Sequence, residues 1–375
     1  MTGFKKRSGQ TRKGSFQGSV LAIILALLLL AALRIPGMAS ADFMGSTLDW
    51  AITIANSFAG WPLLLLSLLC FLVLFSFSVY PRSGLISKTW LLLPLVLISH
   101  SLVSLIGPPL AGISVRSEIL DARLKSSESG IIRILHANLY LYNSRKHLRE
   151  VLGLIQKYEP DVIIFHELDS HHHEYFRSQL IGYTHRINTN HPFFGYGIYS
   201  RLPLGEVSEI STRIETLATV SLSHPDPFAD CQDSELFSLV TVHPVAPFNP
   251  RILKVHRRAL ENLRNTIESM SGNRILVTGD FNSVDWSGDV QALQKATGLR
   301  QVFNENWLFR GTYSAHWPAV FRLPIDGIWI SDSVQVSAMK SVVIPGSDHL
   351  GILVDIQFPS LAKCDSLKNR HRSMP

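Results

Sequence analysis

Cysteine is scarce. Cys70, Cys231 and Cys364 are the three in 375 residues, too few and too scattered for a disulfide framework or a thiolate zinc site. Cys70 lies within an apolar run, where a small hydrophobe is the default role. Acids are scarce in the first third: before Arg116 the chain has Asp42 and Asp49 against eight bases. What the rest lacks is a charge excess. Of 35 Lys and Arg and 29 Asp and Glu in the chain, 27 of each sign remain from Arg116 onward. The formal charge of +6 therefore belongs to the N-terminal tail, where Lys5, Lys6, Arg7, Arg12, Lys13 and Arg34 have no acid among them. A domain that grips polyanions without sequence preference carries a basic excess, and this one shows none overall. No internal repeat of simple period is evident.

Long apolar runs, by contrast, are present. The first, Val20–Leu33, is short for a bilayer span of about 20 residues. It is read as a retained helix because two more runs follow; the alternative is a signal peptide cleaved near "ASA", Ala39–Ala41. The second, Leu63–Tyr80, and the third, Trp90 to about Ile113, carry no charge and read as membrane helices. His100 inside the third is assigned a hydrogen-bonded packing role, and Asp49–Gly60 a short interfacial helix. Basic residues flank the first run on its N-terminal side, and Arg82 and Lys88 lie in the loop between the second and third runs. The positive-inside rule then places everything after Ile113 outside the cell membrane, on the periplasmic side of an inner membrane. The expected division is a membrane region of about three helices at 1–113, a polar linker at 114–130, a folded domain at 131–358 and a tail at 359–375.

From Ile131 the texture changes to short β-rich runs between amphipathic helices. "IIRILHA" is followed by a helical stripe, Leu148, Val151, Leu152 and Ile155, within Ser144–Tyr158. "DVIIF", "YGIYS" and "LFSLVTV" follow, then a long helix Arg251–Met270, "RILVT", "IDGIWI" and "GILVDI". Strands mixed with single helices and hairpin-like stretches suggest two packed sheets flanked by helices.

Polar residues collect at the strand ends: Asn138, Glu167, His243, Asp280 with Asn282, Asp326, and Asp348 with His349. Each alone has a bland reading as a turn, cap or satisfied histidine. Together they form an inventory. Glu167, Asp348 and Asn138 supply hard oxygen ligands suited to Mg²⁺, with Mn²⁺ the alternative. Asp280 is a candidate base for a water and Asn282 its neighbour, on one side if the chain stays extended there. His243 and His349 are donors for a phosphoryl oxygen, with Asp326 to orient one of them.

In chain order, "HANLY", "PDVIIFHELD", "YGIYSRLPL", "VTVHP", "VTGDFNS", "LPIDGIWI" and "GSDHLGI" resemble the motifs of the endonuclease/exonuclease/phosphatase superfamily, DNase I-like proteins. The resemblance covers Ile131 to about Phe358, and is nearest to bacterial membrane-anchored members whose first motif continues to a second Asn, here Asn143. It implies an α+β fold, a four-layer αββα sandwich, here preceded by transmembrane helices. It implies that Glu167 is the principal metal ligand with Asn138 and Asp348 beside it. Asp280 would activate or position the attacking water, Asn282 would hold the phosphate or the nucleophile, His243 would contact the scissile phosphate, and His349, paired with Asp326, would stabilise the transition state.

Four features depart from the pattern or stand outside it. His166 replaces the usual Gln before the Glu and is expected to hydrogen-bond behind the site. Tyr140 stands where abasic-site endonucleases carry an acid, and "PIDGIW" lacks the Asp-Arg spelling of inositol-polyphosphate 5-phosphatases. "HHH", His171–His173, is read as a helix start rather than a metal tract. Asn143 and Arg251 are candidates for substrate contact. The implied substrate is a phosphate ester: nucleic acid, a phospholipid headgroup or a small phosphodiester. The bilayer is the other partner, and no protein partner is evident. The alternative function is a binding or scaffold protein on an inactive catalytic fold.

Overall fold

The structure, a computed structural model, describes residues 45–79, 91–118, 131–189, 191, 193–212, 215–223, 235–270 and 274–357. The first apolar run and the tail at 359–375 lie outside them. The chain divides into two units, one of residues 1–107 with 286–288 and one of 108–285 with 289–375.

The described residues of the first unit include α1 (Gly45–Ser57), α2 (Trp61–Val79) and most of α3 (Leu92–Ala111). Among the described residues, Leu93–Ala111 is long and apolar enough to cross a membrane, and Thr47–Ser57 with Trp61–Ser76 pass the same test only as a pair bent by 85°. His100 is buried, with Nε2 3.2 Å from Asn56 Oδ1, which is the packing role expected of it. A buried polar group keeps its place only when paired in this way.

The second unit is a mixed α+β sandwich. One sheet runs β1 (Ile113–Val115), β10 (Arg300–Asn304), β11 (Asp326–Ile330), β9 (Ile275–Asp280), β8 (Glu235–Pro244), β7 (Glu215–Ser223), β6 (Leu204–Thr212). The other runs β12 (Gln335–Val343), β13 (Leu350–Gln357), β2 (Ile131–Asn138), β3 (Val162–His166), β5 (Tyr196–Ser200), β4 (His185–Asn188). Side chains alternate across each strand, so each sheet fills two cores. Ile134, Ile164, Leu239, Leu276, Ile328 and Ile352 fill the space between the sheets. Leu135, Ile163 and Phe165 pack outward with α4 (Arg145–Tyr158) and α5 (Ser170–Gln179). Val240, Val242 and Val277 pack outward with α6 (Pro250–Ser269) and α7 (Gly288–Thr297). Three cores between four layers give the αββα order.

The expected linker needs correction at its start. Ile113–Val115 pairs in parallel with Val302–Asn304 and Arg116 bridges Ala338, so the sheet begins before Ile131. Buried charge also tightens the frame. Arg133 on β2 makes a bidentate pair with Asp355 on β13, at 2.7 and 2.9 Å, and donates to Tyr158 O at the end of α4.

Candidate active site

The alternation that builds the inter-sheet core also builds the site. On β2 the residues facing the other sheet are Ile132, Ile134, His136 and Asn138; on β3 they are Val162, Ile164 and His166. On β8 the series ends at Thr241 and His243, on β9 at Thr278 and Asp280, and β11 begins it with Asp326. Each strand thus gives the site end of its inward face to one or two polar residues, in the gap between the sheets. Asp326 and Asp280 are cross-strand partners, and Asn138 is level with His166. Gly279 is required here, because a Cβ at that position would lie 2.0 Å from Val242 O.

The polar groups meet. Asn138 Nδ2 donates to Glu167 Oε1 at 2.9 Å and to Asp280 Oδ2 at 3.1 Å. Its Oδ1 accepts from Tyr140 N–H at 2.9 Å, so the amide faces the carboxylates as a donor, where an oxygen ligand was expected. Leu141 N–H donates to Glu167 Oε2 at 3.1 Å. His243 Nε2 lies 3.7 Å from Asp280 Oδ2 and 3.9 Å from Glu167 Oε1. His349 Nε2 lies 3.7 Å from Asp280 Oδ2, while its Nδ1 is 2.8 Å from Asp326 Oδ2. Since a carboxylate only accepts, Nδ1 carries the proton and donates. Ser347 Oγ donates to Asn138 O at 2.7 Å and accepts from His349 N–H at 3.0 Å, tying the loop before β13 to the end of β2.

The backbone is unusual at the same place. Four non-glycine residues among those described have positive φ, and three are here: Tyr140 at 64°, Glu167 at 58° and Asn282 at 47°. Side chains rarely adopt this region, and such residues persist where the surrounding structure holds them. Asn282 also corrects the expectation of an extended chain through "GDFNS". Its N–H turns back to Asp280 Oδ1 at 2.9 Å and its Nδ2 donates to Pro244 O at 2.9 Å. A turn, not strand alternation, brings the Asn282 backbone back to the Asp280 carboxylate and sends the Asn282 side chain to the β8 loop.

Electrostatics divide the groups. Burial, then the Asp326 charge, push Asp280 up to about 7. Burial alone would lower His349, but Asp326 and Asp280 outweigh it and raise it to about 10. Burial disfavours the Asp326 charge, yet His349 and its hydrogen bond hold that carboxyl below the usual range. His243 is lowered to about 4 by burial, against the pull of Glu167. Asp348, beside His349, is raised, again chiefly by burial. At neutral pH the site therefore holds a cationic His349, a neutral His243 and an Asp280 near its midpoint.

Other expected residues sit differently. His166 is fully buried with Nε2 2.8 Å from Thr241 Oγ1, and its ring stands edge-on to those of His136 and His243, at 5.3 and 5.2 Å. Asn143 is buried and its amide donates to Leu139 O and Pro345 O at 2.8 and 2.9 Å; it ties loops together rather than facing a substrate. Arg251 is exposed in the first turn of α6, and no hydrogen bond among the described residues joins it to the cluster. The "HHH" tract diverges: His171 meets Arg145, His172 caps α5 with Asp169, and His173 meets Tyr199 Oη and Thr189 O. Tyr313, 4.9 Å from the His349 ring, and Phe194, 5.1 Å from the His243 ring, carry no motif signal and were missed.

Asp280, Asp326 and His349 bring ligating atoms within 4.8 Å of one another, a spacing that fits a metal site. Residues 135–349 match the profile of the Endonuclease/Exonuclease/phosphatase family. No curated protein matches the chain in sequence. Solved structures similar to it include humanized D. rerio TDP2, at 16% identity and TM-score 0.50, covering 61% of this chain and 100% of that one. D. rerio TDP2 complexed with single strand DNA product gives 16%, 0.50, 61% and 99%. The human Nocturnin catalytic domain with bound sulfate gives 17%, 0.49, 64% and 96%. At these identities the structural likeness speaks for the fold alone.

Proposed function

Because the chain belongs to the Endonuclease/Exonuclease/phosphatase family, whose members are metal-dependent phosphoester hydrolases, we propose that it hydrolyses a phosphodiester or phosphomonoester by in-line attack of water, with Mg²⁺ or Mn²⁺ as the cofactor. The observation that carries the reading is the pairing of Asp280 with His349, 3.7 Å apart, with Asp326 behind the imidazole at 2.8 Å. It sets a proton acceptor beside a cationic donor at the strand ends, the two kinds of group that hydrolysis of a phosphate ester uses.

The residues fit a divalent ion. Glu167, Asp280 and Asp348 are hard oxygen donors, and burial, the chief cause of the upward shift of Asp280 and Asp348, leaves carboxylates whose charged form a cation would stabilise. Glu167 would hold the ion with Asp348 beside it and the Asn138 amide orienting Glu167 and Asp280 as a donor. Of the Asp280, Asp326 and His349 group the carboxylates could face the ion, while His349, protonated, adds charge without coordinating. A bound ion would polarise a phosphoryl oxygen and neutralise charge developing there. The chain's own groups do the rest. Asp280 takes a proton from the water, since its carboxyl titrates near neutrality. His349 donates from Nε2 to a phosphoryl oxygen, fixed in tautomer and charge by Asp326. Neutral His243 and Asn282 hold the phosphate's other side.

We place the membrane region at the N-terminal helices and the catalytic domain from β1 to about residue 358, on the outer or periplasmic side, with 359–375 a tail. The uncharged runs and the basic N-terminal residues support this anchoring. The substrate is nucleic acid, a phospholipid headgroup or a small phosphodiester; a charge-balanced domain weighs against long polyanions. The test is hydrolysis of bis-p-nitrophenyl phosphate by the purified whole chain with Mg²⁺. Asp280→Ala and His349→Ala should each lower the rate by about 10²–10³-fold while leaving the thermal transition in place. Unchanged rates in both folded variants would refute the reading.

A further inference from the structure

Beyond the strand-end residues, α6 carries a histidine that the hydrolytic reading leaves unused. His256 is fully buried in the helix's apolar stripe, between Leu253 and Leu260. Its Nδ1 lies 2.9 Å from Val245 O and its Nε2 2.8 Å from Ser283 Oγ. A carbonyl only accepts, so Nδ1 bears the proton and Nε2 accepts from the serine hydroxyl. Burial lowers the imidazole's pKa, which keeps this neutral tautomer.

The two partners lie in different loops. Val245 is two residues beyond His243 at the end of β8, and Ser283 is one residue beyond Asn282 at the end of β9. Those loops are also joined directly, through Asn282 Nδ2 to Pro244 O at 2.9 Å, while Asn282 N–H binds Asp280 Oδ1 at 2.9 Å. Helix, β8 loop and β9 loop thus form a closed circuit of hydrogen bonds with His256 as its corner. We propose that His256 is a positioning residue for the hydrolysis: it holds both loops at the separation that keeps His243 3.7 Å from Asp280 and Asn282 in its positive-φ turn. The role rests on the hydrolytic reading above, but the clasp can be measured without activity.

The experiment uses the whole chain and bis-p-nitrophenyl phosphate with Mg²⁺. His256→Leu removes both bonds. His256→Gln has an amide that reaches the Nε2 position and keeps the Ser283 bond. Because a displacement of about 1 Å in a site costs up to ~10²-fold, His256→Leu should lose about 10–100-fold in kcat with KM within about twofold. His256→Gln should recover most of that loss. Ser283→Ala should lower kcat in the wild-type background and have little further effect beside His256→Leu, the mark of coupled residues. Hydrogen exchange at 243–249 and 280–284 should rise in His256→Leu and less in His256→Gln. Equal kcat losses in the Leu and Gln variants, additive Ser283→Ala effects, or unchanged exchange in both loops would each overturn the proposal. Should the wild type not hydrolyse the ester, the functional reading fails and the exchange result alone decides on the clasp. Should His256→Leu not fold, His256→Gln and Ser283→Ala decide it by the same measurements.

Discussion

Asp326→Asn tests the electrostatic core of the site, since it is close to isosteric and removes one charge. Raising an imidazole from 6.5 to about 10 corresponds to roughly 5 kcal/mol of preference for its charged form, in which Asp326 is the largest favourable contribution. Without that charge, burial dominates and His349 falls toward or below neutrality. The Asp326 charge is also what most raises Asp280 after burial, so the Asp280 pKa falls from about 7 as well. Both limbs of the pH–rate profile therefore move toward acid. At pH 8 the variant has lost a cationic donor aimed at the phosphoryl oxygens, a loss of about 10²–10³-fold in kcat. Near pH 6 the loss is smaller, because His349 regains its proton. The assay is kcat for bis-p-nitrophenyl phosphate between pH 5.5 and 9.5, with Mg²⁺ saturating. A variant within about threefold of wild type, on an unshifted profile, would refute the assignment of charge to this pair.

Two further outcomes follow from the buried charges. Asp280 is raised in the fold, so its contribution to stability is present below its unfolded pKa near 3.8 and is lost as pH rises through about 7. His349, raised to about 10, acts in the same direction at higher pH, its share being lost as pH rises through that value. A divalent ion relieves the carboxylate part, so Mg²⁺ should raise Tm more at pH 8 than at pH 5; an equal or larger effect at pH 5 would contradict the metal assignment. Away from the site, Arg133→Met strands Asp355, which is fully buried, and should cost about 3–5 kcal/mol in urea unfolding. Arg133→Met with Asp355→Leu should recover most of it, whereas a single variant losing under about 1 kcal/mol would show the pair to be dispensable.

What the sequence made legible is what depends on local pattern. The stripe Leu148, Val151 and Ile155 marked α4 to within one residue, and Ser144, its expected first residue, is the N-cap. The apolar runs of β2, β3, β8, β9, β11 and β13 were recognisable because central strands need them. Strands decided by distant partners were not. Ile113 looked like the end of an apolar helix and Ser114–Val115 like the start of a polar linker, and their partner β10 lies far along the chain. The hairpin of β6 and β7, "LGEVSEIST" and "ETLATVSLS", mixes polar residues throughout and has no strong period. In the site, Asn138, His243 and Asp280 were visible as polar residues ending apolar runs, and Asp326 and His349 as polar residues opening them. Asn282 was named for the wrong geometric reason, since a single left-handed residue cannot be read from composition. Tyr313 and Phe194 enter by loop conformation alone. For His256 a signal existed, a histidine on the apolar face of an amphipathic helix, but its partners in two loops did not follow from spacing.

We infer that these strand ends form a metal-dependent hydrolytic centre. The most direct measurement is release of p-nitrophenol from bis-p-nitrophenyl phosphate by the purified whole chain, in Mg²⁺ and in excess chelator, beside the Asp280→Ala variant. Turnover should appear with Mg²⁺, vanish with chelator and fall by about 10²–10³-fold in the variant. Turnover that persists undiminished in chelator, or that Asp280→Ala leaves at the wild-type rate, would contradict the inference.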